Sequence, residues 1–207
     1  MTTFFTAVAF LLFGFGLGRW RRGLQTNRGE GAVRLLLSKQ FDSSSYHLLN
    51  NVTLPVDDGT TQVDHILVSR FGLFVIETKH YTGRLFANSG ASWTQVLFGK
   101  HYKFQNPVHQ NAKHVRAVSS LLEFLDPALV HSLVVFTGDA TFKTQRPSCV
   151  VSLSDVASFV SKFDSEVLSE NRMQFCVGRL ECCRRRLSRQ TDIEHVDYLT
   201  RKFGEID

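Results

Sequence analysis

The sequence contains no C-x-x-C pair, so its four cysteines, Cys149, Cys176, Cys182 and Cys183, lack the spacing of a zinc ribbon. Four in 207 residues are also too few for a disulfide framework, and they read as free thiols of a reducing compartment. There is no internal repeat and no low-complexity tract, which excludes a solenoid and a long biased linker. Charge is missing altogether from residues 1–18, MTTFFTAVAFLLFGFGLG, which Arg19, Trp20, Arg21 and Arg22 follow at once. A secretory signal wants its positive charge ahead of the apolar run and a small-residue cleavage site behind it. A spanning helix needs roughly 17 to 20 apolar residues, with basic residues on the cytoplasmic side and tryptophan at the interface. Residues 1–22 are therefore expected to form a single-pass membrane anchor, with the rest of the chain in the cytoplasm. The alternatives are a buried apolar helix or a signal peptide.

Without that segment about 180 residues remain, enough for one domain with appendages. The chain is 43% hydrophobic and 21% charged, a globular composition. Its net charge is +5 and its pI about 9.2, compatible with a polyanionic partner. Much of the excess lies in RWRRG at 19–23 and CCRRRLSR at 182–189. The second run is an exposed helix face, with a membrane surface or nucleic acid as its functional options.

Apolar periodicity predicts a helix over 28–40, capped by Asn27, with Glu30 in its first turn. YHLLNNVTL at 46–54 reads as a strand ended by Pro55, and DDGT at 57–60 as a turn. VDHILVS and LFVIETK around Arg70-Phe71-Gly72 form a β-hairpin. Short strands follow near 84–87 and 93–98. Pro107 opens a helix reaching Leu125, and HSLVVFT at 131–137 is a buried strand. Residues 149–153 add a further strand, and helical text runs from Ser154 to the end. The order α-β-β-β-α-β describes a mixed sheet flanked by helices, an α/β or α+β core.

The hairpin carries three charges. Side chains alternate across a strand, so Glu77 and Lys79 share a face with Leu73 and Val75. Asp64, at the start of the partner strand, falls near them in an antiparallel pairing. Two adjacent carboxylates repel unless a cation joins them. Hard oxygen ligands suit Mg²⁺ together with a substrate phosphate, and a nearby lysine can steady phosphate charge or orient a water. A Glu-x-Lys pair on a strand surface is otherwise an ordinary ion pair.

The segments RGEGAVRLLL at 28–37, TQVDHILVSRFGLFVIETKHYTGRL at 61–85, Trp93 and FQNPVHQNAKHV at 104–115 resemble the nuclease-related domain (NERD) family of the PD-(D/E)XK nuclease superfamily. The resemblance covers roughly residues 28–125. It implies a restriction-endonuclease-like αβββαβ core and a Mg²⁺- or Mn²⁺-dependent nuclease, with DNA the expected substrate; together with the segment 1–22, this nuclease is expected to be membrane-anchored. Asp64 corresponds to the metal-binding aspartate, Glu77 to the second acidic ligand, Lys79 to the lysine, and Glu30 to an acidic residue that adds to the metal site. Gln110 occupies a recurring glutamine. Val63 stands where the broad superfamily often has proline. The resulting division is an anchor over 1–22, a nuclease domain over 23–153 and a helical extension over 154–207.

Other residues carry weaker signals. His65 points to the face opposite Asp64 and reads as core; His80 is a strand-end histidine within reach of phosphate. His109 and His114, five apart, miss the i, i+4 spacing of a helical metal pair. Lys100, Lys103, Lys113 and Arg116 can contact a phosphate backbone or form a solvated face, with Gln110, Lys113 and Arg116 the expected substrate contacts. Trp93, Tyr102 and Phe104 read as core, with base-stacking platforms the alternative. The competing function is a non-catalytic nucleic-acid-binding or scaffold module that keeps the nuclease fold.

Overall fold

The computed structural model describes residues 28–41, 44–57 and 59–185. The expected anchor at 1–22, the Asn27 cap and the helical text beyond residue 185 lie outside them. Among the described residues no helix is long and apolar enough to cross a membrane.

Helix α1, described over residues 28–40, precedes three antiparallel strands: β1 (Tyr46–Val56), β2 (Gly59–Ser69) and β3 (Gly72–Lys79). After β4 (Gly83–Phe86), β5 (Ser92–Leu97) and β6 (Lys100–Gln105) come helix α2 (Pro107–Leu121) and strand β7 (Val130–Phe136). Strands β8 (Ala140–Phe142) and β9 (Val150–Ser152) and helices α3 (Val156–Val160) and α4 (Glu170–Cys183) complete the described chain. The main sheet has the order β1-β2-β3-β7-β9, with β7 parallel to both β3 and β9. A second sheet has the order β6-β5-β4-β8. The protein is thus an α+β domain of mixed sheets flanked by helices, consistent with a restriction-endonuclease-like fold.

Alternation along β3 sorts the core. Leu73 and Val75 join Ala117, Val118 and Leu122 of α2 and Met173, Cys176 and Leu180 of α4. Phe74 and Ile76 join Val33 and Leu37 of α1 and Val156 and Val160 of α3 on the other face. Helix α4, within the segment expected as an extension, therefore contributes to the main core. Residues 73–76 are all 0% exposed, which is why this stretch reads as one apolar run. His65 takes the α1 side as expected: it is buried, and its Nδ1 lies 2.7 Å from Asn50 Oδ1. Burial, with Arg34 second, lowers its pKa to about 4.

Four local readings change. Strand β1 runs through Pro55 to Val56, and as an edge strand it tolerates a residue that cannot donate. Strand β6, KHYKFQ, was not expected, because an edge strand with almost every side chain exposed has no apolar alternation to betray it. The three-residue β8 was likewise not expected. Helix α2 stops at Leu121, where a non-helical Leu122 turns the chain, four residues earlier than its apolar stripe implies.

Candidate active site

The site forms where β2 and β3 part. Their ladder ends at His65 opposite Ile76. Past that pair the Thr78 amide donates to Asp64 Oδ2 at 2.7 Å, so a carboxylate takes over from the strand backbone. Across β2 from that point, Asn51 of β1 has φ +51°, a left-handed conformation that asparagine tolerates.

Glu77 and Lys79 project to the α2 side, as their parity with Val75 requires. Glu77 is 2% exposed. Its Oε1 lies 2.6 Å from Lys79 Nζ, and its Oε2 lies 3.2 Å from His114 Nε2. The second approach is close but lacks hydrogen-bond alignment, and both atoms are buried without another partner. Lys79 Nζ also donates to Gln110 Oε1 at 3.0 Å, and His114 Nδ1 lies 2.8 Å from Thr61 Oγ1. Helix α2 therefore applies two residues, one turn apart, to the carboxylate–lysine pair.

Helix α2 is held in that position by its own chemistry. Asn106 caps it, accepting from the Val108 amide at 3.0 Å, and Pro107 takes the first turn. Asn111, 0% exposed, donates through Nδ2 to the Val75 carbonyl, to Ser132 Oγ and to the Leu133 carbonyl, fastening the helix across β3 and β7.

Glu30 arrives from the opposite layer. A Cβ on Gly29 would lie 2.7 Å from Thr137 Oγ1, 3.3 Å from His80 Cβ and 3.4 Å from Thr78 Cγ2, so only glycine lets α1 approach this close. Glu30, the next residue, is partly buried. Beyond Lys79 the chain runs over Gly138, where a Cβ would sit 2.0 Å from the Tyr81 carbonyl oxygen.

The charges respond to one another. Burial, then Glu77, then Glu30 push the Asp64 carboxyl well above its usual range, with the Thr78 amide and Lys79 opposing. Burial raises Glu30 too, with Glu77 adding and Lys79 opposing. Burial alone would raise Glu77, but His114 and Lys79 hold it below its ordinary value. Burial likewise works against the charged lysine, yet Glu77 and Asp64 raise its pKa. Three carboxylates thus share one cation. Their hard oxygen donors suit a divalent ion such as Mg²⁺. Among the described residues, no three His, Cys, Asp or Glu side chains stand close enough to form a metal cage as they are.

Of the residues expected at the site, Asp64, Glu77, Lys79 and Gln110 lie together, with Glu30 in electrostatic reach. Lys113 and Arg116 point outward from α2 and are exposed. Sequence reasoning missed His114, which was weighed only against His109. Its signal was available: it lies four residues after Gln110, on the same helical face. Thr61 had no signal in the sequence. His80 is turned toward Thr137, with Nδ1 3.1 Å from Oγ1.

A mixed sheet thus carries acidic residues and a lysine at the end of a central strand. The chain matches the nuclease-related domain over residues 25–137. It is also similar to an uncharacterized protein of Bacillus anthracis, 35% identical over 185 residues that cover 86% of this chain and 84% of that protein. The chain belongs to the nuclease-related domain (NERD) family, in the PD-(D/E)XK-like group. No solved structure matches it.

Proposed function

We propose that this protein is a metal-dependent nuclease that hydrolyses phosphodiester bonds in DNA. The observation that carries the reading is the Glu77–Lys79 pair at 2.6 Å, its carboxylate buried, set beside Asp64 and within electrostatic reach of Glu30. A surface ion pair needs no burial, no third carboxylate and no helix to hold it. Asp64 and Glu77, with Glu30 added by a movement of α1 toward them, would hold Mg²⁺ or Mn²⁺, which when bound supplies Lewis-acid polarisation of the phosphate. Lys79 places its ammonium where charge develops on the phosphate oxygens, and Gln110 fixes its direction. Water adds to phosphorus, one bridging P–O bond breaks, and the leaving oxygen takes a proton. Exposed Arg116 and Lys113 on α2 supply phosphate contacts that set register.

The activity is tested by incubating the full-length chain with single- and double-stranded DNA and RNA, in Mg²⁺, Mn²⁺ or EDTA. Cleavage of DNA that EDTA abolishes supports the reading; no cleavage of any substrate overturns it.

We also propose that residues 1–22 anchor the chain in a membrane with the nuclease domain on the cytoplasmic side. The support is the charge-free run 1–18 and the arginines that follow it. Recovery of the full-length chain from cells in the soluble fraction, free of membrane after a low-salt wash, would remove this part alone.

A further inference from the structure

No aspartate or glutamate occurs between Glu77 and Glu123, while Lys79, Arg84, Lys100, Lys103, Lys113 and Arg116 do. That acid-free stretch builds β4, β5, β6 and α2. In the second sheet, Arg84, Val96 and His101 form one cross-strand row and Phe86, Thr94 and Lys103 another on the same face, while Leu85, Gln95 and Tyr102 form the row between them on the opposite face, which Lys100 shares. Arg84, Lys100, His101 and Lys103 are exposed, and none has an ion-pair partner among the described residues.

The β5–β6 turn is chemically odd. Leu97 pairs with Lys100 around a two-residue loop, Phe98-Gly99, in which φ is +48° and +77°. Such a loop favours Asn-Gly or Asp-Gly, because both central residues need positive φ. Here phenylalanine takes the first place and is 100% exposed. A bulky side chain in this conformation is strained, and strain of this kind collects at functional sites. Tyr102, on β6, is 48% exposed, and neither ring stacks on another aromatic among the described residues.

This turn lies at the catalytic end of the second sheet. Gly83 packs so closely on Leu97 and the Val96 carbonyl that a Cβ would lie 2.6 Å from that oxygen, and Gln95 Nε2 donates to the Thr82 carbonyl at 2.8 Å. Gly83 is four residues beyond Lys79, at most about 14 Å along the chain.

We propose that the β5–β6 hairpin is a docking arm for single-stranded DNA that wraps the β6 edge, with Phe98 and Tyr102 stacking on unpaired bases, Lys100 on the backbone beside them, and Lys103 and Arg84 on the backbone from the opposite face. Free aromatic rings at an exposed edge with unpaired cations on both of its faces match a flexible, unstacked strand, whereas a duplex is too stiff to wrap that edge and its bases already stack on each other. The inference rests on the nuclease reading of the Glu77–Lys79 site, since it names the strand delivered there.

The test is the binding of the full-length chain to a labelled oligothymidylate in EDTA, so that binding is read apart from cleavage. Phe98→Asn should raise the melting temperature, because asparagine suits the turn, yet weaken binding on the order of tenfold. Replacing Lys100 and Lys103 together by Ala should flatten the dependence of log affinity on log salt by about 1.4. Phe98→Asn binding like the wild type overturns the proposal. Tighter binding of duplex DNA or of single-stranded RNA does so too. So does Phe98-dependent capture by phosphatidylserine vesicles with oligothymidylate binding unaffected. If the wild type binds through Phe98 but cleaves nothing in Mg²⁺, the nuclease reading fails and the arm stands. If it cleaves while Phe98→Asn binds normally, the arm alone fails.

Discussion

Lys79 Nζ rests 2.6 Å from Glu77 Oε1, an ion pair made within a single strand by residues two apart. Glu77 is 3% exposed in its side chain and Lys79 20%, so neither charge is well solvated. Breaking a buried pair by removing one partner costs about 3–5 kcal/mol, because the other charge stays behind. The lysine is therefore bound into the fold as well as poised for chemistry, and its replacement must be read on two scales.

Lys79→Met should slow single-turnover cleavage by about 10²–10⁴, the range of a general acid–base or electrostatic group. Binding of the oligonucleotide should fall far less, since one phosphate contact is a share of many. The same variant should melt lower, and Glu77→Gln in the Lys79→Met background should recover most of that loss without recovering cleavage. Equal losses of cleavage and binding would contradict the catalytic role.

Asp64 makes the opposite trade. Its raised pKa means that the folded chain disfavours its charge, through burial and then the neighbouring Glu77 and Glu30. Asp64→Asn keeps an oxygen for the Thr78 amide and removes the repulsion. In EDTA it should melt at or above the wild type while cleavage in Mg²⁺ disappears. Mg²⁺ should raise the wild-type melting temperature by mass action and leave the variant's where it was. A variant that still responds to Mg²⁺ would place the ion elsewhere.

Two glycines in one helix should behave differently. A Cβ on Gly29 meets Thr137 Oγ1 at 2.7 Å, whereas one on Gly31 meets nothing within 4 Å. Gly31→Ala should stabilise the protein by about 0.5–1 kcal/mol through helix propensity. Gly29→Val should push α1 off the sheet, draw Glu30 away from the site and lower both melting temperature and cleavage. Urea titrations of the two variants check this directly.

His131 sits with its ring centroid 4.0 Å from that of Phe163 and 5.2 Å from that of Phe74. Burial lowers its pKa below 6.5. Between that lowered value and 6.5 the unfolded chain binds more protons than the folded one, so stability rises with pH there. It is lost as pH falls through 6.5 toward the folded value. The urea midpoint of His131→Gln should fall less steeply with pH than that of the wild type. His65, whose shift has the same sign, is present in both proteins, so the difference isolates His131.

The parts of the fold that were legible in the sequence are those where burial writes a pattern. Strands β2 and β3 and helices α1 and α2 carry continuous or periodic apolar residues, and parity alone put Glu77 and Lys79 on one face with Val75. Strand β6 escaped because exposure leaves no such pattern. His114 escaped for another reason: its meaning depends on Glu77, thirty-seven residues earlier, and on how α2 lies over β3. That placement is fixed by Asn111 and by contacts no spacing within the helix reveals.

Asn111 also governs how the domain opens. Its amide is keyed to carbonyls on two parallel strands and to a serine of the second, so α2 behaves as a dowelled joint rather than a sliding surface. A shift of the helix by one turn would uncouple all three bonds together and carry Gln110 and His114 off Lys79 and Glu77 in the same movement. The amides of β3, β7 and α2 should therefore exchange with solvent as one cooperative block, opening together or not at all.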